Sequence, residues 1–285
     1  MYVKSDKGDK HYMMSPEDYG SMLRNHITSG YKKGSLDAFN RAVESDRQIA
    51  TELEIADRVF TNIPREAFGT LKDGKPDFRT NPKMRLLNPT KMELGRVSKQ
   101  LLEKIVTDVR DKTKLLQWKN TASCLQWFDK IKDKNQCTFI QFDLVDFYGS
   151  ISKQLLDEAI AWASTITEIN EKTKQIIYHC RKNFLIYQSE VWVKKDNPEF
   201  DVPMGAYDSA EVCELVVLYV LHKLRHLPVS VALYRDDGCA LSRLSAQRTE
   251  DAKKDICRII RELGLEAKVV AVNTQVIDYL IIPLQ

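Results

Sequence analysis

A chain of 285 residues with 43% hydrophobic content can bury a sizeable core in one large or two modest domains, which excludes a disordered protein. Lys and Arg number 43 against 40 Asp and Glu, so the net charge of +3 argues neither for nor against nucleic acid, and any basic footprint is local. The 6 cysteines are scattered, with no C-x-x-C pair and no Cys/His cluster, and no apolar run has the form of a signal peptide or a membrane span; a reduced chain without a zinc site, in cytoplasm or nucleus, is expected.

Residues 1–64 are charged and broken by Gly, Ser and Pro, with short helical patterns at Leu36–Val43 and Ile49–Val59 and no evident chemistry. Phe68–Lys91 differs in kind. Pro76, Pro82 and Pro89 forbid a long helix and favour extended segments joined by turns, along which Lys72, Lys75, Arg79, Lys83, Arg85 and Lys91 place cations. A basic hairpin-like flap that contacts phosphates and an ordinary solvated loop are both open readings. Ser98 opens a helical pattern through Val109, and a second follows at Leu125–Ile131.

Thr138–Leu144 (TFIQFDL) alternates as a strand and delivers Asp143 near its end; Asp146, Phe147, Tyr148 and Gly149 then lead to a helix capped by Ser152. Helical patterns at Ile151–Trp162 and Ile169–Cys180 are followed by a strand pattern at Glu190–Lys194 and by the longest apolar helix, Ala206–Leu227. That helix carries His222 and His226 one turn apart, but without the glutamate of H-E-x-x-H or a third ligand these read as packing or surface residues.

Val229–Arg243 (VSVALYRDDGCALSR) reads as a hairpin whose turn holds Asp236, Asp237 and Gly238. Asp-Gly suits a plain turn, whereas two adjacent carboxylates suit a hard divalent cation. An amphipathic helix at Ser245–Leu263, a left-handed cap at Gly264 and strands at Glu266–Val272 and Gln275–Pro283 close the pattern. From Thr138 onward the order is that of a split β-α-β-β-α-β sheet, antiparallel and backed by helices, which sets Asp143 beside the Asp236–Asp237 turn. Three carboxylates at one edge are what two-metal phosphoryl transfer needs.

With those residues in place the chain resembles a family. FDLVDFYGSI around Asp143, PMGAYDSAEVCELV around Gly205 and YRDDG at Tyr234–Gly238 resemble successive palm motifs of reverse transcriptases; TLKDGKPDF and PKMRLLNPTK resemble the preceding fingers motifs. GLEAKVV at Gly264–Val270 resembles the lysine-containing palm motif, and VIDYLIIPL the final primer-gripping hairpin. The likeness runs from about Tyr12 to the last residue and is nearest to non-viral retroelements of the Penelope-like or related kind.

The resemblance implies an α+β fold with an N-terminal helical region and fingers-like flap at 1–135 and a palm at 136–285, residues 164–200 contributing to the fingers. It implies an RNA-directed DNA polymerase, with an RNA or DNA template and primer, deoxynucleotide triphosphates and two Mg²⁺ ions (Mn²⁺ as substitute), and no membrane partner. Asp143, Asp236 and Asp237 would be the catalytic metal ligands. Tyr148 would stack under the sugar of the incoming nucleotide, Lys72 and Arg85 (Lys75 more weakly) would hold its triphosphate, Gly205 would admit the template and nascent pair, and Lys268 would meet the leaving pyrophosphate.

There are departures from the family pattern. Gly149 stands where many relatives have proline, Gly74 where close relatives often have histidine, and Ile281 where an aspartate belongs. No thumb motif follows, so the chain reads as truncated before the thumb and is expected to bind nucleic acid weakly and synthesise poorly. A catalytically weak or inactive nucleic-acid-binding remnant is the main alternative. A nucleotidyl cyclase shares the split sheet, but the basic flap and the Gly205 motif speak against it.

Overall fold

The computed structural model describes residues 1–59, 65–74, 77–273, 277–279 and 282–284, with side chains through Val272. In chain order the elements are β1 (Tyr2–Lys4), β2 (His11–Met13), α1 (Pro16–Gly30), β3 (Tyr31–Lys33), α2 (Leu36–Glu52), β4 (Phe68–Leu71), β5 (Met84–Leu87), α3 (Gly95–Thr113), α4 (Thr121–Asp129) and β6 (Thr138–Leu144). There follow α5 (Phe147–Ser150), α6 (Lys153–Ser164), α7 (Glu171–His179), β7 (Leu185–Tyr187), β8 (Glu190–Lys194), α8 (Ser209–Leu224), β9 (Ser230–Tyr234), β10 (Asp237–Ser242), α9 (Ala246–Glu262), β11 (Ala267–Asn273), β12 (Ile277–Tyr279) and β13 (Ile282–Leu284). The fold is α+β with antiparallel sheets. It divides into two compact units, residues 1–101 with 170–210 and residues 102–169 with 211–285, so the chain passes between units three times.

The first unit holds three small antiparallel sheets, β1-β2, β4-β5 and β3-β8-β7. Glu190–Lys194 is a strand as its alternation predicts, but it pairs with β3 and β7 and takes no part in the sheet that carries Asp143. Helix α1 starts at Ser15, whose hydroxyl accepts from the Asp18 N–H ahead of Pro16 at a position where a missing donor costs nothing. Its Leu23 and Ile27 pack with Leu185, Tyr187 and Trp192. The two helical patterns at Leu36–Val43 and Ile49–Val59 merge largely into α2, which presents Phe39 and Ala42 to Phe184, Val191 and Val193.

The second unit is built on one four-stranded antiparallel sheet in the order β11-β6-β10-β9. Strand β6 is central and largely buried along both faces, its Ile140, Phe142 and Leu144 on one and Phe139 and Gln141 on the other. One face lays Phe139, Cys239, Leu241 and Ala232 against Trp118, Cys124 and Phe128 of the α4 region. The β9 edge does not stand open: the Trp118 N–H donates to the Leu233 carbonyl (2.8 Å) and the Leu233 N–H to the Leu116 carbonyl (3.1 Å), which caps the edge against further pairing. Strand β11 is the opposite edge, and α9, capped at Gly264 with φ +75°, leads into it.

Candidate functional site: a carboxylate rung on the second sheet

The register of the four-stranded sheet decides which side chains meet. Asp143 of β6 lies directly opposite Asp237 of β10, Asp237 opposite Tyr234 of β9, and Asp143 opposite Lys268 of β11. Directly opposed residues of antiparallel strands project to the same face, so Lys268, Asp143, Asp237 and Tyr234 form one rung across the whole sheet. The rung stands at the end of β6 and the start of β10, beyond the rows of Gln141–Cys239–Ala232 and Phe139–Leu241–Ser230. Asp143 and Asp237 are half-buried and Lys268 is exposed.

The hairpin turn lies one residue earlier than the Asp-Gly reading places it. Tyr234 pairs with Asp237, so the two turn residues are Arg235 and Asp236, and Arg235 adopts a left-handed φ of +54°. Asp237 and Gly238 are strand residues. Gly238 is required by packing: a Cβ there would sit 2.3 Å from the Phe142 ring on the opposing strand. The Leu144 N–H donates to the Asp236 carbonyl at 2.8 Å, which fastens the turn to the end of β6.

Tyr148 in the short helix α5 belongs to the same neighbourhood. Burial, then the Cys213 thiol to which it hydrogen-bonds, push its phenol well above 10; the Asp236 carboxylate adds to this and Arg235 opposes it. The turn before Tyr148 is tight, with Asp146 at φ +44°, and a Cβ on Gly149 would lie 2.6 Å from the Asp146 carboxylate. Glycine in place of the family's proline therefore makes room for Asp146.

Among the described residues no group of three or more His, Cys, Asp or Glu side chains is gathered as a metal cage. The structure brings two of the three aspartates into one rung and puts the third in the adjoining turn. Mg²⁺ is commonly held by one or two carboxylates together with water and substrate phosphates, and two like charges set opposite each other favour a cation between them. The Asp143–Asp237 pair fits such an ion.

The remaining expected site residues, Lys72, Arg85 and Gly205, belong to the first unit. Arg85 of β5 faces Thr70 of β4, and the Lys72 N–H extends that ladder to the Lys83 carbonyl (2.8 Å). Arg85 Nε is 3.2 Å from the Asp6 carboxylate. Lys75 and Ile281 lie outside the described residues. Gly205, at φ +109°, brings its backbone against Asn88: a Cβ would sit 2.4 Å from the Asn88 carbonyl oxygen, and the Asn88 N–H donates to the Met204 carbonyl at 2.9 Å.

Sequence reasoning missed the residues that hold this segment. The buried Asn88 amide donates to the Asn183 side chain (3.1 Å) and the Phe184 carbonyl (2.9 Å). Asp208 is buried between Arg181, with which it forms an ion pair, and the Ser98 hydroxyl, which donates to it. Tyr207 carries Lys91 Nζ 4.1 Å and Arg96 Cζ 5.1 Å from its ring centre. A buried Asp46–His179 pair lies further along, Asp46 also accepting from the Glu93 N–H at 2.7 Å. Nothing in a local pattern flags such partners, which come from distant stretches. His222 resolves as a packing residue, its ring 4.8 Å from that of Trp162 and stacked at 18° to Tyr219.

An antiparallel sheet of this order with acidic residues on a rung at the strand ends defines a polymerase-like palm, and solved structures share the fold. No protein-family model and no curated protein matches the chain. It is similar to apo telomerase from Candida tropicalis truncated from its C-terminal domain, with a TM-score of 0.64 at 10% identity over 98% of this chain and 61% of that one. It is likewise similar to telomerase from Candida albicans in complex with a TWJ fragment of telomeric RNA (TM-score 0.59, 11% identity, 93% and 47% covered). The RNA-dependent RNA polymerase of a human picobirnavirus matches at TM-score 0.55 and 11% identity, with 96% and 63% covered. The chain thus spans from about half to three fifths of these proteins' lengths. At such identities the likeness shows a reverse-transcriptase- or polymerase-like fold. No helix among the described residues is long and apolar enough to cross a membrane.

Proposed function

We propose that the chain is the core of an RNA-directed DNA polymerase from a Penelope-like or related retroelement, transferring a nucleotide to a primer 3′-hydroxyl on an RNA or DNA template. The observation that carries this reading is the Lys268–Asp143–Asp237 rung on a palm-like sheet. Asp143 and Asp237, with Asp236 from the adjoining turn, hold the magnesium ions. When bound, those ions supply the Lewis acidity and charge neutralisation that phosphoryl transfer requires. Lys268, next along the rung, offers an ammonium to the departing pyrophosphate. Tyr148 supplies a flat, half-buried phenol beside Asp236 on which the sugar of the incoming nucleotide rests. Lys72 and Arg85 hold its triphosphate, for which a guanidinium's planar fork is suited.

Extension of a DNA primer on an RNA template with Mg²⁺ tests this. Asp143→Asn, Asp236→Asn and Asp237→Asn should each abolish incorporation while leaving the fold intact by circular dichroism; activity equal to wild type in all three overturns the catalytic reading. A nucleic-acid-binding remnant is the second reading, favoured by the lack of a three-carboxylate cage among the described residues. It predicts salt-dependent binding of primer-template with no incorporation by the unaltered chain.

A further inference from the structure

The first residues of the chain, in which the sequence reveals no chemistry, are bound to the basic hairpin β4-β5. Ser5 forms a parallel bridge to Leu71, and the Asp6 N–H donates to the Leu71 carbonyl at 2.8 Å. Beyond the hairpin strands, Asp73 accepts from the Ser5 hydroxyl (2.8 Å) and the Tyr12 hydroxyl (2.8 Å), and these two bonds hold its carboxyl below the usual range. Tyr12 also packs edge-on against Phe78 at 4.8 Å. The arm formed by β1 and β2 is thus fixed to β4 and to the connection that follows it.

This anchoring brings one carboxylate to Arg85. Asp6 has a side chain 9% exposed, and its Oδ1 lies 3.2 Å from Arg85 Nε, while the Arg85 side chain is 32% exposed. Among the described residues no partner engages the two Nη groups of Arg85. The Arg85 Nε–H is buried and makes no hydrogen bond, so the Asp6 contact is an ion pair alone, and it leaves the Nη edge, with its paired N–H groups, to be presented to an anion. Beside it, the hydroxyl of Thr70, directly opposite Arg85 and 7% exposed, has no hydrogen-bond partner among the described residues. A buried hydroxyl left without a partner is expected to gain one when a polar ligand arrives.

We propose that Asp6 is a positioning residue for Arg85: the N-terminal arm holds the guanidinium by its Nε side so that its Nη edge, with the Thr70 hydroxyl beside it, receives the phosphates of a nucleoside triphosphate. This rests on the reading of Arg85 as a triphosphate ligand. Asp6 does not itself touch the nucleotide. Its removal frees the guanidinium to sample other rotamers and so weakens phosphate binding without removing the cation.

The test is equilibrium binding of a deoxynucleoside triphosphate with Mg²⁺, and separately of inorganic tripolyphosphate, to the full chain, alongside binding of a primer-template. Asp6→Asn, which keeps the shape and removes the charge, should weaken both phosphate ligands roughly fivefold, in line with the loss of a partly exposed ion pair. Primer-template affinity should hold, and Asp6→Glu should restore most of the loss. Thermal melting reports on the arm independently. If Asp6→Asn alone unfolds the arm, Asp73→Asn, which loosens the same arm without touching Arg85, gives the reference loss, and an Asp6→Asn effect no larger than it overturns the proposal. Unchanged or tighter phosphate binding by Asp6→Asn also overturns it, the latter because Asp6 would then be a competitor of phosphate. If Arg85→Ala binds both ligands as well as wild type does, the reading of Arg85 itself fails, an outcome distinct from failure of Asp6 alone.

Discussion

Gly238 illustrates how one residue is fixed by something far away in the chain. Asp-Gly is a turn pair by local preference, but the Phe142 ring from the neighbouring strand occupies the place of a Cβ, so Gly238 stays in β10 and the turn moves back to Arg235–Asp236. Phe142 is 2% exposed and has little room to withdraw. Gly238→Ala is therefore expected to cost about 1–3 kcal/mol, the range for inserting a methyl into a packed core, read as a lower melting temperature. Because Asp237 is its neighbour, the same change should reduce nucleotide incorporation even at temperatures where the variant is folded. Gly205 is the parallel case in the first unit. The resemblance gives it to the template, yet its φ of +109° and its approach to the Asn88 carbonyl already require glycine for internal reasons.

At the scale of elements, strands and helices with a regular apolar period were legible: Thr138–Leu144 is a strand to the residue, Ser152 is a cap, and Gly264 ends α9. The polar β1-β2 hairpin was not, because its strands are three residues each and bury little. Nor was the sheet to which Glu190–Lys194 belongs, since pairing with β3 is a long-range choice that alternation does not encode. The carboxylate rung was readable in its residue types and order but not in its register. Helix α8 makes a prediction of its own. Burial, followed by Arg225, Lys223 and His226, holds the His222 imidazole below 6.5. The unfolded chain then takes up a proton that the folded chain refuses, so this contribution to stability is complete above about pH 6.5 and is lost as pH falls toward the depressed folded value. His222→Phe, which keeps a ring against Trp162, should flatten the decline in melting temperature between about pH 7 and pH 5. An unaltered slope would assign that decline to other groups.

For the whole molecule, the cysteines are reporters of global opening. All 6 are free thiols; Cys124, Cys137, Cys180, Cys213 and Cys239 are buried, and Cys257 on α9 is half-exposed. Burial lifts the Cys124 thiol to about 11 and pushes Cys180 and Cys239 well up from their ordinary value. A thiol-specific disulfide reagent should thus modify one cysteine per native chain quickly and the others only at the rate of unfolding, with Cys180 in one unit and the remaining buried thiols in the other reporting whether the two units open together. Fast reaction of several thiols in the native state would contradict the packing described. The sheet order has a further bearing, on how the protein is made. The central strand β6 leaves the ribosome first, yet its partners β10 and β11 are the latest long strands of the same sheet, with α7, β7 and β8 of the other unit emitted in between. Only the β9-β10 hairpin is local; every pairing that places Asp143 in the rung is of high contact order and forms late. During synthesis the apolar β6 must wait unpaired, so co-translational aggregation, more than thermal stability, is expected to limit recovery of this protein from cells, and slower elongation or a bound chaperone to raise it.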